Sequence, residues 1–119
     1  MTYIDGLVIP VRKNNLAAYR SMAKKSAKIW REYGALEIRE YVADDIPFGK
    51  RTSFPRSVKL KRGETVDLSW VVYRSRAQRN RILAKVMKDK RIAAMMSGKD
   101  IPFDGKRMIV GGFKPLISL

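Results

Sequence analysis

The sequence predicts an α+β fold in which four antiparallel strands form one sheet and helices cover one face of it. Segments with β-type composition and segments with helical periodicity follow one another in the order β, α, β, β, α, β. Turn-forming Gly, Pro, Asp and Asn residues separate them. The length of 119 residues and the apolar share of 45% suit one core, so a single domain over 1–119 is expected.

The first strand and the first helix are the clearest elements. Residues 3–11, YIDGLVIPV, are rich in β-formers, and Asn14 and Asn15 then offer a helix cap. Gly34 is suited to the left-handed position that ends the helix. The helical spacing is carried by Leu16, Tyr19, Ala23, Ala27, Trp30 and Tyr33.

Residues 35–43 predict a second strand, because polar and apolar side chains alternate there with a period of two. Leu36, Ile38 and Val42 form the apolar face. The opposite face carries Glu37, Arg39 and Tyr41. Glu40 interrupts the apolar face and requires a partner.

The remaining elements follow an irregular excursion over 44–64, with extended structure expected near 52–61. Residues 66–73 are apolar at most positions, which is typical of a central strand. A helix is predicted over 77–88, a short helical turn over 92–96, and a final strand over 106–117.

This order of elements matches the split βαβ, ferredoxin-like arrangement, in which helices lie on one face of an antiparallel sheet. Trp70, Val71, Val72 and Tyr73 are apolar on both faces of their strand. Because water disfavours such an open face, a second sheet is expected to cover it, and a homodimer supplies one economically.

Four segments resemble the YbaA-like family of small bacterial proteins: YIDGLVIPV at 3–11, GALE at 34–37, SWVVYRS at 69–75 and IPFDGKRMIVGGF at 101–113. The resemblance covers nearly the whole chain. It implies a dimeric α+β barrel, in which the sheets of two subunits stack face to face. The family has a fold but no established activity.

Composition excludes several kinds of chemistry. The chain has neither cysteine nor histidine, which excludes disulfides, Ser-His triads, cysteine and histidine zinc sites, and histidine-ligated haem. Carboxylate, lysine and tyrosine remain for acid–base work. No cofactor and no metal site are predicted. No apolar run approaches the ~20 residues that span a bilayer, so a cytoplasmic location without membrane contact is expected.

The sequence predicts a pocket between the two stacked sheets. Its candidate residues are those expected on the strand face opposite the helices: Asp5, Glu37, Arg39, Tyr41, Ser69, Tyr73 and Arg107. Asp5 or Glu37 would act as a base and Tyr73 as a hydrogen-bond donor. Arg39 or Arg107 would hold an anion. The structural alternative is that Glu37 and Arg39 pair with each other or across the dimer.

The net charge of +15 favours an anionic partner, and nearly all of it lies after residue 45. One basic segment contains Lys50, Arg51, Phe54, Arg56, Lys59, Lys61 and Arg62, and a second spans 74–91. Both could contact nucleic acid, most readily without sequence specificity. The simpler interpretation is a solvated loop and a solvated helix face.

Three functions therefore stay open at the level of sequence. The leading hypothesis is a homodimer that binds a small organic molecule between its sheets, with catalysis left undecided. The second is a nucleic-acid-associated protein that uses the two basic segments. The third is a structural interaction module without a ligand. Gly111-Gly112 is interpreted as a strand feature, since no helix N-terminus follows it to receive a phosphate.

Overall fold

A computed structural model describes residues 2–98 and 101–119. The strands are β1 Tyr3–Arg12, β2 Glu37–Val42, β3 Glu64–Tyr73 and β4 Ile109–Phe113. The helices are α1 Leu16–Glu32, α2 Phe54–Ser57, α3 Arg76–Val86 and α4 Lys90–Met96.

The four strands form one antiparallel sheet in the order β2-β3-β1-β4. The first and third strands occupy its centre, and Tyr3 of β1 lies opposite Tyr73 of β3. This is the predicted ferredoxin-like α+β arrangement, and the order of elements is as expected.

The core lies between the sheet and the helices. The buried residues form two clusters, one of Ala35, Val71, Tyr73, Ile82 and Val86, the other of Ile9, Val11 and Tyr19. Because side chains alternate along a strand, the odd-numbered residues of β1 and β3 face the helices.

The other sheet face is open and apolar. Tyr41, Leu68, Ile109 and Phe113 lie on it and expose 50%, 36%, 44% and 59% of their surfaces. The Tyr41 ring stacks on Trp70 with 5.2 Å between ring centroids. This chain alone therefore leaves a large apolar surface in contact with water, which supports the expectation of a covering sheet.

Three element boundaries differ from the sequence prediction. The prediction of extended structure near 52–61 was wrong. The short helix α2 forms there, because Ser53 caps it by accepting a hydrogen bond from the Arg56 amide. Helix α4 begins earlier than expected because the Asp89 carboxylate caps it. The last strand has only five residues.

The start of α1 also differs. A single 3₁₀ turn, Lys13–Asn15, precedes the helix, and the Asn15 side chain makes no capping hydrogen bond. At the other end Gly34 has a φ of 115°, which confirms that the helix terminates through a residue of positive φ.

Candidate functional site

A cavity of about 780 Å³ lies between the helix-facing side of the sheet and helices α1, α3 and α4. Its wall is mainly apolar, and all four strands contribute to it. Pockets of this size and character are the usual sites for small organic ligands.

Methionine is the most frequent residue type in the apolar wall. The chain has six methionines, and five of them line the cavity: Met22, Met87, Met95, Met96 and Met108. The unbranched, polarizable thioether adapts to ligands of different shape. None of these five methionines was a site residue in the sequence prediction.

One cluster of polar side chains in the cavity joins strands β1 and β3 to helix α3. The Tyr73 hydroxyl donates to Asp5 Oδ2 at 3.0 Å, and Arg79 Nε of α3 lies 3.3 Å from Asp5 Oδ1. Burial, followed by the charge of Asp5, raises the pKa of Tyr73, so this side chain stays a neutral donor. The buried Asp5 carboxylate is therefore both paired and hydrogen-bonded.

The Gly111-Gly112 pair makes room for this group. A Cβ atom at Gly112 would overlap the Tyr3 hydroxyl and Arg79 Nη2, whereas one at Gly111 would meet only the Phe113 ring, at 3.6 Å. Arg79 Nη2 donates to the Tyr3 hydroxyl at 3.1 Å. The diglycine is a strand feature, as predicted, and its physical reason is the close approach of Arg79.

A second polar group joins α1, β2 and β3. The Tyr19 hydroxyl lies 2.5 Å from Glu40 Oε1 and 3.2 Å from Asp67 Oδ2. Glu40 is exposed on the edge strand, whereas only 4% of Asp67 is exposed. Tyr19 and Glu40 line the cavity, and Asp67 lies behind them.

Burial, reinforced by Glu40, raises the pKa of Asp67 to about 8. Tyr19 has only one hydrogen to donate, and the shorter contact gives it to Glu40. A protonated Asp67 provides the second hydrogen that this group requires. Asp67 is therefore mainly neutral at neutral pH.

The predicted face of three site residues was wrong. Asp5, Ser69 and Tyr73 were expected opposite the helices, but all three face the helices and line the cavity. Both faces of β1 carry apolar residues, so periodicity alone did not decide which face was which. The Asp5 carboxylate is tolerated beneath the helices because Arg79 and Tyr73 compensate it.

Glu37, Arg39 and Tyr41 lie on the open face, where they were predicted. Glu37 and Arg39 form an ion pair along one strand, and both side chains are largely exposed. These residues are separated from Asp5 and Tyr73 by the sheet. The structure therefore does not unite the seven predicted pocket residues in one place.

Arg107 precedes β4 instead of lying within it, so its predicted position on a strand face was wrong. Its guanidinium binds both Glu64 oxygens, at 2.8 and 2.6 Å, and Asp104 Oδ2 at 2.8 Å. It also donates to the Val58 and Lys59 carbonyls. These contacts tie the loop after α2 to the start of β4 and leave little capacity for a ligand.

The basic segments are only partly free. Arg56 stacks 4.0 Å from the centroid of the Phe48 ring and donates to the Phe48 and Gly49 carbonyls. The other members of the first segment are exposed: Lys50, Arg51, Phe54, Lys59, Lys61 and Arg62. In the second segment Arg79 faces inward, contrary to the expected outer helix face, and Arg91 pairs with Glu32.

Sequence reasoning missed Tyr19, Asp67 and Arg79 as site residues. One signal was available: Glu40 interrupts the apolar face of β2 and so required a polar partner on a neighbouring element. Asp67 and Tyr19 are those partners. Arg79 carried no such signal, because it stands among seven other basic residues between 74 and 91.

Within the described ranges, no group of three or more acidic side chains is placed to hold a metal ion. None of the helices formed by those residues is long and apolar enough to cross a membrane.

Comparison with known proteins places the chain in a family. The family described as "Protein of unknown function (DUF1428)" matches residues 2–105. The chain belongs to this family. It is 44% identical over 118 residues to the uncharacterized protein YbaA of Escherichia coli K12 and of Shigella flexneri, covering 99% of each chain.

Two solved structures share the fold. One is a mutant form of SnoaB, a cofactor-independent oxygenase from Streptomyces nogalater; the TM-score is 0.64 at 11% identity over 99% of this chain and 96% of that one. The other is a dimeric ferredoxin-like protein from an uncultured marine organism, with a TM-score of 0.61 at 9% identity over the whole of both chains. At such identities the likeness establishes the ferredoxin-like fold alone.

Proposed function

We propose that this protein binds a small, mainly apolar organic molecule in the cavity between its sheet and its helices. The observation that carries the proposal is the cavity of about 780 Å³, whose methionine-rich wall meets two separate polar groups. This site differs from the one predicted from the sequence, which was expected between two stacked sheets. SnoaB shares the fold and is a cofactor-independent oxygenase, so the fold is compatible with small-molecule chemistry.

We also propose a homodimer formed through the open sheet face. Support comes from the exposed apolar side chains of that face and from the neighbour described as a dimeric ferredoxin-like protein. Stacked sheets pack about 10 Å apart, which would bury the Tyr41–Trp70 stack between subunits. The Glu37–Arg39 pair would then lie at the interface.

A cavity-filling substitution tests the binding site. Ala93 and Ala94 of α4 are both exposed, but Ala93 lines the cavity and Ala94 does not. An Ala93→Phe variant should lose the apolar fragments that the wild type retains in native mass spectrometry, because the ring occupies their space. Ala94→Phe is the matched control and should bind like the wild type.

Two results would contradict the proposal. The first is equal fragment binding by both variants, which would locate the ligand elsewhere. The second is the absence of fragment binding by the wild type at any concentration tested. Circular dichroism should show that both variants keep the wild-type fold, so that a loss of binding reports on the cavity.

Nucleic-acid binding is the second candidate, favoured by the net charge of +15 and by the exposed cations of the 50–62 segment. Phosphate-driven affinity falls steeply between ~50 and ~200 mM salt. Submicromolar binding of an oligonucleotide at the higher salt would support this candidate. Complete loss of binding there would leave the charge without a specific polyanionic partner.

A further inference from the structure

The charge of the cavity is opposite in sign to that of the whole protein. The whole chain carries a net charge of +15. The described residues that line the cavity include two carboxylates, the buried Asp5 and the exposed Glu40, and a single cationic side chain, Arg79. The lining tyrosines, Tyr19 and Tyr73, are neutral donors whose pKa values are raised by burial.

Arg79 is not free to balance both carboxylates. Its Nε lies 3.3 Å from Asp5 Oδ1, its Nη2 donates to the Tyr3 hydroxyl at 3.1 Å, and its Nη1 donates to Asn80 at 3.0 Å. The Asp5–Arg79 pair is therefore neutral as a unit. It presents no net positive charge to a ligand.

Glu40 is the charge that remains. No cationic side chain in the described part of the chain lies within ion-pair distance of it. The Tyr19 hydroxyl fixes its orientation at the cavity wall. A molecule that places a hydrogen-bond donor here gains a charge-assisted hydrogen bond, whereas an anion placed here meets like charge.

We propose that the cavity selects apolar molecules bearing a neutral or positively charged hydrogen-bond donor, an alcohol or an amine, and rejects organic anions. This inference rests on the proposed function and adds the ligand class to it. The expected preference runs against the overall charge of the protein, which would attract anions. A test with matched ligands therefore distinguishes selection by the charges of the cavity from attraction by the net charge of the protein.

The test uses four probes with the same aromatic body, measured by isothermal titration calorimetry at ~150 mM salt. They are 2-methylnaphthalene, 2-naphthylmethanol, 2-naphthylmethylamine and 2-naphthoate. The alcohol and the amine should bind about fivefold more tightly than the hydrocarbon, the gain expected from a hydrogen bond to a partly solvated carboxylate. The naphthoate should bind more weakly than the hydrocarbon.

Glu40→Gln and Glu37→Gln form the matched pair of variants. Both remove one negative charge from β2, but Glu40 lines the cavity and Glu37 lies on the open face. Glu40→Gln should abolish the advantage of the amine over the hydrocarbon, and Glu37→Gln should leave it unchanged. That difference would assign the selectivity to the cavity and not to the net charge.

The outcomes distinguish this inference from the proposed function. If the naphthoate binds as tightly as the amine, or if both variants behave alike, the inference is overturned while cavity binding still stands. If the wild type binds none of the four probes, both the inference and the proposed function fail. Tighter binding of the donors that depends on Glu40 alone supports both.

Discussion

Replacing Asp67 by asparagine tests the buried group that joins Tyr19, Glu40 and Asp67. The pKa of Asp67 is raised from 3.8 to about 8, so the folded protein holds a proton that the unfolded chain releases near pH 4. Between these two values the folded state binds more protons than the unfolded state. The free energy of unfolding therefore decreases as the pH rises through this window.

The magnitude follows from the width of the window. From pH 5 to the pKa near 8 the wild type should lose about 1.4 kcal/mol per pH unit, or about 4 kcal/mol. Glu40 is exposed, and solvent screens the pair, so we halve this value to about 2 kcal/mol. An asparagine side chain cannot ionise and has nearly the same shape, so Asp67→Asn should lack this loss.

The assay is urea unfolding of both proteins near pH 5 and pH 9. All other titrating groups are common to the two proteins, so the difference between their pH dependences isolates residue 67. The variant should retain about 2 kcal/mol more of its stability than the wild type on going to the higher pH. Equal losses in both proteins would refute a buried, protonated Asp67.

Three further predictions follow from other contacts. Gly112→Ala should lower the free energy of unfolding by about 2 kcal/mol, since its Cβ overlaps two side chains, while Gly111→Ala should cost far less in the same urea titration. Arg107→Gln should cost about 3 kcal/mol because it leaves a buried carboxylate without its partner. Arg20→Gln, at an exposed position of α1, should change the unfolding midpoint little, and equal effects of the two substitutions would contradict this contrast. Leu68→Lys, at the centre of the open face, should convert a dimer to monomers in sedimentation equilibrium, and a variant of unchanged mass would count against an interface there.

The order of elements could be predicted from the sequence because their periodicities are clear. The helical spacing of α1 and the polar–apolar alternation of β2 identify each element and its inner face. The placement of Glu37, Arg39 and Tyr41 on the open face followed from that alternation. Local patterns of this kind carry enough information for a fold class and for a regular amphipathic element.

The site was less predictable, because β1 and β3 are apolar on both faces. Asp5 and Tyr73 were assigned to the wrong face for this reason, since periodicity cannot orient a strand that packs on both sides. Arg79 is drawn inward by Asp5, although the two residues are far apart in sequence. Such a pairing depends on tertiary structure, so the local charge pattern of the sequence could not indicate it.

The most direct test of the account is methyl NMR with 2-naphthylmethanol, using protein labelled at the methyl groups of methionine, isoleucine, leucine and valine. If the ligand binds between the sheet and the helices, the largest shifts should occur at Met22, Met87, Met95, Met96 and Met108. The methyl groups of Leu68 and Val72, on the open face, should shift little. Shifts confined to the open face would locate the ligand between the sheets and contradict the proposed cavity.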